Sequence, residues 1–101
     1  MPRKKMKVSF KFKNASGIEY EVTFRKPDRR LCADGICSNP KDDAPKIQIS
    51  PYLTKQSELN TSIHEFAHAF FWDKPESTVA KFASALSRFL YNECRWRKIE
   101  K

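Results

Sequence analysis

Apolar and polar residues alternate along the first quarter of the chain. Val8, Phe10 and Phe12 are separated by Ser9 and Lys11, and Ile18, Tyr20, Val22 and Phe24 by Glu19, Glu21 and Thr23. A period of two sends successive side chains to opposite faces, so each run predicts a half-buried strand. Asn14 to Gly17 joins the runs with turn-forming residues, which makes them a hairpin. Lysines occupy the polar face of the first strand and glutamates that of the second, an arrangement suited to pairing across the hairpin. Leu31 to Cys37 predicts a short irregular strand interrupted at Asp34-Gly35, and SNPKDDAP, Ser38 to Pro45, is dense in turn formers. Lys46 to Ser50 alternates again, with Ile47 and Ile49 on one face, before Pro51 ends the run.

From about Thr54 the period changes. Leu59, Ile63, Phe66 and Phe70 recur at spacings of four, three and four, which predicts a helix with a core-facing stripe. Thr54 is a suitable N-cap, and Ser57 is an alternative start. Trp72-Asp73-Lys74-Pro75 interrupts the pattern, with Asp73 able to cap a second helix and Pro75 acceptable in its first turn. Val79, Phe82, Ala83, Leu86, Phe89 and Leu90 then predict an amphipathic helix reaching about Glu93, followed by a basic tail from which Trp96 can fold back. The class is α+β: a small three- or four-stranded, mostly antiparallel sheet followed by two antiparallel helices. With 101 residues there is room for one domain, 1–101, in which 1–50 are mainly strands and loops, 54–93 two helices and 94–101 the tail.

The net charge of +8 is concentrated at the ends. Residues 1–30 hold ten Lys or Arg against Glu19, Glu21 and Asp28, whereas 31–93 are net acidic by two. Basic termini suit contact with a nucleic acid or another polyanion, and equally a solvated surface. Cys32, Cys37 and Cys94 are an odd number without a disulfide framework, and the CADGIC spacing, with no second cysteine pair, is a poor zinc knuckle. Reduced thiols, the missing signal-peptide core and the lack of a membrane-length apolar run predict a cytoplasmic protein with no membrane partner.

Both histidines of the chain fall in TSIHEFAHAFFW, offset from the apolar stripe of the first predicted helix. His64 and His68, four residues apart, lie one above the other and can hold a single ion between them. Glu65 follows the first histidine, so a carboxylate stands beside the open coordination position, where it can accept a proton from water. Nitrogen and carboxylate donors with a hydrolytic role make zinc the expected cofactor. Glu76, at the start of the second helix, is the leading third ligand if the WDKP connection reverses tightly. Asp73, the loop carboxylates Asp42 and Asp43, and water are the other candidates; Glu76 also has a purely structural role open to it, as the last residue of a DKPE capping box.

IHEFAHAFFW and PESTVAKFA, and more weakly KIQISPYL, resemble the zincin metallopeptidases and in particular small zincin-like proteins often found in bacteriophage genomes. The resemblance implies a minimal zincin-like fold, with His64, His68 and Glu76 as metal ligands and Glu65 as general base. It also implies an edge strand beside the active helix that binds extended peptide, which would be Lys46 to Ser50, and a host cytoplasm if the chain is phage-encoded. The position four beyond Glu76, often acidic in glutamate zincins, is Ala80, and the metzincin glycine and third histidine positions hold Phe71 and Lys74. The expected function is zinc-dependent hydrolysis of a peptide or amide bond in a peptide or protein substrate. So short a chain has little material for a second cleft wall, which a partner or a second copy would supply. The alternative is a basic nucleic-acid-associated or structural interaction protein with an inactive motif, resting on Arg3, Lys4, Lys5 and Lys7 at one end and Arg95, Arg97 and Lys98, with Trp96 for stacking, at the other.

Overall fold

A computed structural model describes residues 9–27 and 34–99. The expectations that rest on Val8, on Leu31 to Ala33, on Cys32 and on the basic cluster from Arg3 to Lys7 lie outside them. The hairpin forms as its alternation requires: β1 (Ser9–Lys13) pairs antiparallel with β2 (Glu19–Phe24), and Lys11 and Lys13 stand opposite Glu21 and Glu19. Gly17, with φ of 85°, takes the left-handed conformation that closes the turn. Asn14 organises that turn through its Oδ1, which accepts from the backbone amides of Ser16 and Ile18, both at 2.9 Å.

Two further strands complete a mixed sheet of order β1-β2-β4-β3, in which β3 is Gly35–Cys37 and β4 is Lys46–Ile49. β4 runs parallel to β2 and antiparallel to β3, so two of the three pairings are antiparallel. This corrects the expectation that Lys46 to Ser50 is the substrate-binding edge. β4 is an interior strand whose ladder is prolonged on both sides, by Glu21 N–H to Pro45 O at 3.1 Å and by Ser38 N–H to Lys46 O at 2.9 Å. A strand with its backbone groups engaged on both sides has none left for a peptide. Among the described residues the edge strands are β1 and β3, and β3 is the one packed against the first helix.

The helices are α1 (Lys55–Phe70) and α2 (Glu76–Arg88), the second continued by one π-helical turn, Phe89–Glu93. Thr54 is the N-cap of α1, its Oγ1 accepting from Ser57 N at 3.2 Å. α1 lies on the sheet face that holds Tyr20, Val22, Ile47 and Ile49, with Ala69 buried against them. Apart from Glu65, the buried helical residues are small, Ala67 and Ala69 on α1 and Val79, Ala83 and Ser87 on α2. On α2 the expected stripe holds at Val79 and Ala83, whereas on α1 the buried positions are shifted from the expected Leu59, Ile63, Phe66 and Phe70. Phe66, Phe70, Phe82 and Phe89 remain 45–55% exposed, because small side chains bring the packed surfaces together and leave the rings around the perimeter. Phe66 covers the hairpin side of the sheet, its ring centroid 5.6 Å from that of Phe12.

Candidate metal centre

The end of α1 is held in place from both sides. Asn14 Nδ2 donates to Ala69 O at 3.2 Å, tying the helix to the hairpin turn, and Phe71 N–H donates to Ala67 O at the helix end. Lys74 N–H then returns to Phe71 O at 2.9 Å, and α2 starts immediately after Pro75. Pro75, not Asp73, is the N-cap of α2, and it makes no side-chain capping bond. The capping-box role for Glu76 is thereby removed, since Glu76 occupies the first helical position. This tight reversal brings the first turn of α2 alongside the last turns of α1.

Across the reversal the two imidazoles and one carboxylate converge. His64 Nε2 lies 2.9 Å from Glu76 Oε2, and His68 Nε2 lies 2.8 Å from Glu76 Oε1. The imidazole centroids are 4.9 Å apart, the outcome of the i, i+4 spacing. One donor atom from each of the three residues falls within 4.8 Å of the others, and the group includes neither Asp73 nor Asp42 or Asp43. Metal–nitrogen and metal–oxygen bonds of about 2.0–2.2 Å set the donors of a tetrahedral ion about 3.4 Å apart, a spacing inside the 4.8 Å span of this group. The donors therefore fit a divalent ion by position and by chemistry, with two borderline nitrogens and one hard oxygen.

Glu65 is only 6% exposed and faces the edge strand rather than solvent. Burial, and then the neighbouring charge of Glu76, push its carboxyl up to about 7. Cys37 of β3 stands beside it, and burial with the charge of Glu65 raises that thiol to about 12, against a smaller opposing contribution from the Tyr20 hydroxyl. Tyr20 is itself fully buried, and its phenol also rises to about 12, chiefly through desolvation.

A cleft of about 500 Å³ separates β3 from the histidines, with Ile36 on one wall and Trp72 on the other. Trp72 stands edge-on to His68, centroids 6.4 Å apart. Gly35 makes the close approach of the two walls feasible. A Cβ at that position would lie 2.7 Å from Thr61 Cγ2 and 3.0 Å from Glu65 Cγ, closer than side chains tolerate. Gly35, Ile36 and Trp72 are the site residues that the motif did not reveal. The available signal was Gly35 itself, one of only two glycines in the chain, at the interruption of a strand.

No family model, curated protein or solved structure matches the chain. What characterises it is the site. His64, Glu65 and His68 on one helix and Glu76 on the next have the HExxH arrangement of the zincins, beside a small mixed sheet. Such a set is suited to metal-activated hydrolysis. Among the described residues no helix is long and apolar enough to cross a membrane.

Proposed function

We propose that the protein is a zinc-dependent peptidase or amidase in which His64, His68 and Glu76 hold the ion and Glu65 is the general base. The observation that carries the reading is the convergence of both Nε2 atoms on the Glu76 carboxylate, with Glu65 sequestered one residue along the same helix. A bound zinc ion supplies Lewis-acid activation of water and of the scissile carbonyl. Glu65 takes the proton from the attacking water and delivers it to the departing amine. Its burial keeps bulk water away from the carboxylate, and Gly35 keeps the edge strand close enough to maintain that burial. The outer edge of β3 receives the substrate as an added antiparallel strand, so that the scissile bond passes between Ile36 and the histidines. An extended or unfolded peptide is therefore the preferred substrate form.

The nucleic-acid alternative gains nothing from the described residues. Lys98 of the tail is paired with Glu58 at 2.6 Å, and Arg97 donates to the carbonyls of Tyr91 and Trp96. These cations are turned onto the protein's own surface. The decisive variant for the mechanism is Glu65→Gln, which keeps the size and the neighbours of the base but removes its basicity. Its turnover of fluorescein-labelled unfolded casein is expected to fall by about 10²–10⁴ with zinc content unchanged. Equal turnover by wild type and variant would remove Glu65 from the mechanism.

A further inference from the structure

None of the eight phenylalanines of the chain is buried, and six of them, Phe10, Phe66, Phe70, Phe71, Phe82 and Phe89, are 37–55% exposed. Rings of this size ordinarily fill the core of so short a chain. Here the fully buried core is built without them, from Tyr20, Val22, Ile47 and Ile49 and from small helical residues.

Where four of these rings stand follows from the turn of a helix, about 100° per residue. Ala69 joins the core on the sheet, and Ala67, on the other side of α1, is buried against α2. Counted from Ala67, His64 and His68 lie about 60–100° round in one sense, and Phe70 and Phe66 about 60–100° round in the other. Counted from Val79, buried on α2 where it faces α1, Glu76 lies about 60° one way, and Phe82 and Phe89 about 60–80° the other. The carboxylate of Glu76 meets both histidines, which fixes the metal flank of the helix pair. Phe66, Phe70, Phe82 and Phe89 therefore share the opposite flank. The residues set among them there, Ile63 on α1 and Thr78 and Ala85 on α2, carry no charge, and Lys81 and Arg88 stand about 100° further round α2.

Roughly half of each ring is exposed, and a whole aromatic side chain covers about 150–250 Å², so the four together offer about 400 Å² to a partner. An apolar patch of that size marks an interaction site. Two such patches face to face supply about 800 Å² before any neighbouring atom is counted, about two-thirds of the roughly 1,200 Å² at which stable interfaces begin. An uncharged aromatic surface offers nothing to select a charged partner, whereas a second copy matches it ring against ring across a two-fold axis. The core-like spacing of the phenylalanines then has its explanation, since an interface of this kind resembles a core divided between two chains.

We propose that the protein is a homodimer joined through this phenylalanine flank, with Phe66, Phe70, Phe82 and Phe89 of each copy packed against those of the other. The two metal clefts face outward, and neither copy closes the cleft of its partner. Sedimentation equilibrium of the full, zinc-loaded chain over about a hundredfold range of concentration is the test. The mass is expected to reach twice the 11.9 kDa of one chain and to stop there. Phe82→Glu and Phe89→Glu bury a carboxylate in the interface and are expected to weaken pairing by about a hundredfold or more. Both positions are exposed in the single chain, so these variants are expected to keep the helical circular dichroism of the wild type. Phe82→Ala, expected to weaken pairing by about tenfold, reads the same contact if a glutamate variant loses that signal. Trp72→Ala, beside His68 on the metal flank, and His64→Ala/His68→Ala are expected to dimerise as the wild type does. A wild type that keeps the mass of one chain at every concentration, associates without limit, or gathers only on phosphatidylglycerol vesicles would overturn the proposal. Dimers indifferent to the Phe82 and Phe89 substitutions would overturn it too. So would dimers lost in Trp72→Ala, which would move the interface to the metal flank, or in the double-histidine variant, which would make it a metal bridge. Turnover is not part of the measurement, so neither result decides the hydrolytic reading.

Discussion

Glu76 occupies a position where a carboxylate is expected for a reason unrelated to metal. The first turn of a helix favours negative charge because its amides point outward, and Glu76 is the first residue of α2. The side chain is instead directed across the reversal, one oxygen at each imidazole. The sequence left two roles open for it, ligand or capping residue, because both depend on where α2 begins, and a shift of two residues between Asp73 and Pro75 decides between them. A second residue-scale consequence concerns Cys37 and Tyr20. In the folded protein burial holds both groups protonated to about 12, whereas their ordinary values are 9.0 and 10.0. Above pH 9 the unfolded chain therefore binds fewer protons than the folded one, and stability falls as pH rises. The decline is expected to start near pH 9 and to steepen above pH 10, approaching about 1.4 kcal/mol per pH unit for each group. Urea denaturation between pH 8 and 11 measures it. Cys37→Ala should flatten the first part of the decline, and an identical slope in that variant would show that the thiol is not held in its neutral form.

At the scale of elements, the hairpin, the two helices and the motif were legible because each is local. Periodicity identifies the buried face of a strand or helix, and Thr54 marks the start of α1 through a contact three residues long. Strand order was not legible. Lys46 to Ser50 alternates as an edge strand would, but alternation reports faces and not lateral neighbours, and the interior place of β4 depends on pairings with residues some 25 positions before it and 12 before it. The phenylalanines misled for a related reason: Val79 and Ala83 of the predicted α2 stripe are buried, but Phe66, Phe70, Phe82 and Phe89 are not, and on α1 Ala67 and Ala69 are buried instead, a choice made between elements and not within one. The edge position of β3 has its own test. Gly35→Ala places a methyl group against Thr61 and Glu65, and the expected cost is about 1–3 kcal/mol in thermal or urea unfolding. Adding Thr61→Ser removes the nearest atom, Cγ2, and is expected to restore part of that loss. If Gly35→Ala unfolds like the wild type, β3 does not press on α1 and the shelter over Glu65 is not built as described.

The whole molecule joins a narrow sheet, one helix pair and a folded-back tail so that α1 serves two surfaces. Its C-terminal half presents the histidines and Glu65 to the edge of the sheet, and its N-terminal half forms part of an apolar cavity under the tail. A sheet of four short strands supplies one wall of the metal cleft, and Trp72 supplies a partial second wall. A shallow cleft favours extended substrates with few side-chain requirements. All of this chemistry depends on an ion held between the two helices. The most direct measurement is elemental analysis of the purified chain after dialysis against zinc-depleted buffer, with the His64→Ala/His68→Ala variant alongside. About one zinc per wild-type chain is expected, and close to none in the variant. Equal metal content in the two proteins, or none in either after zinc has been offered, would contradict the metal centre and the hydrolytic function built on it.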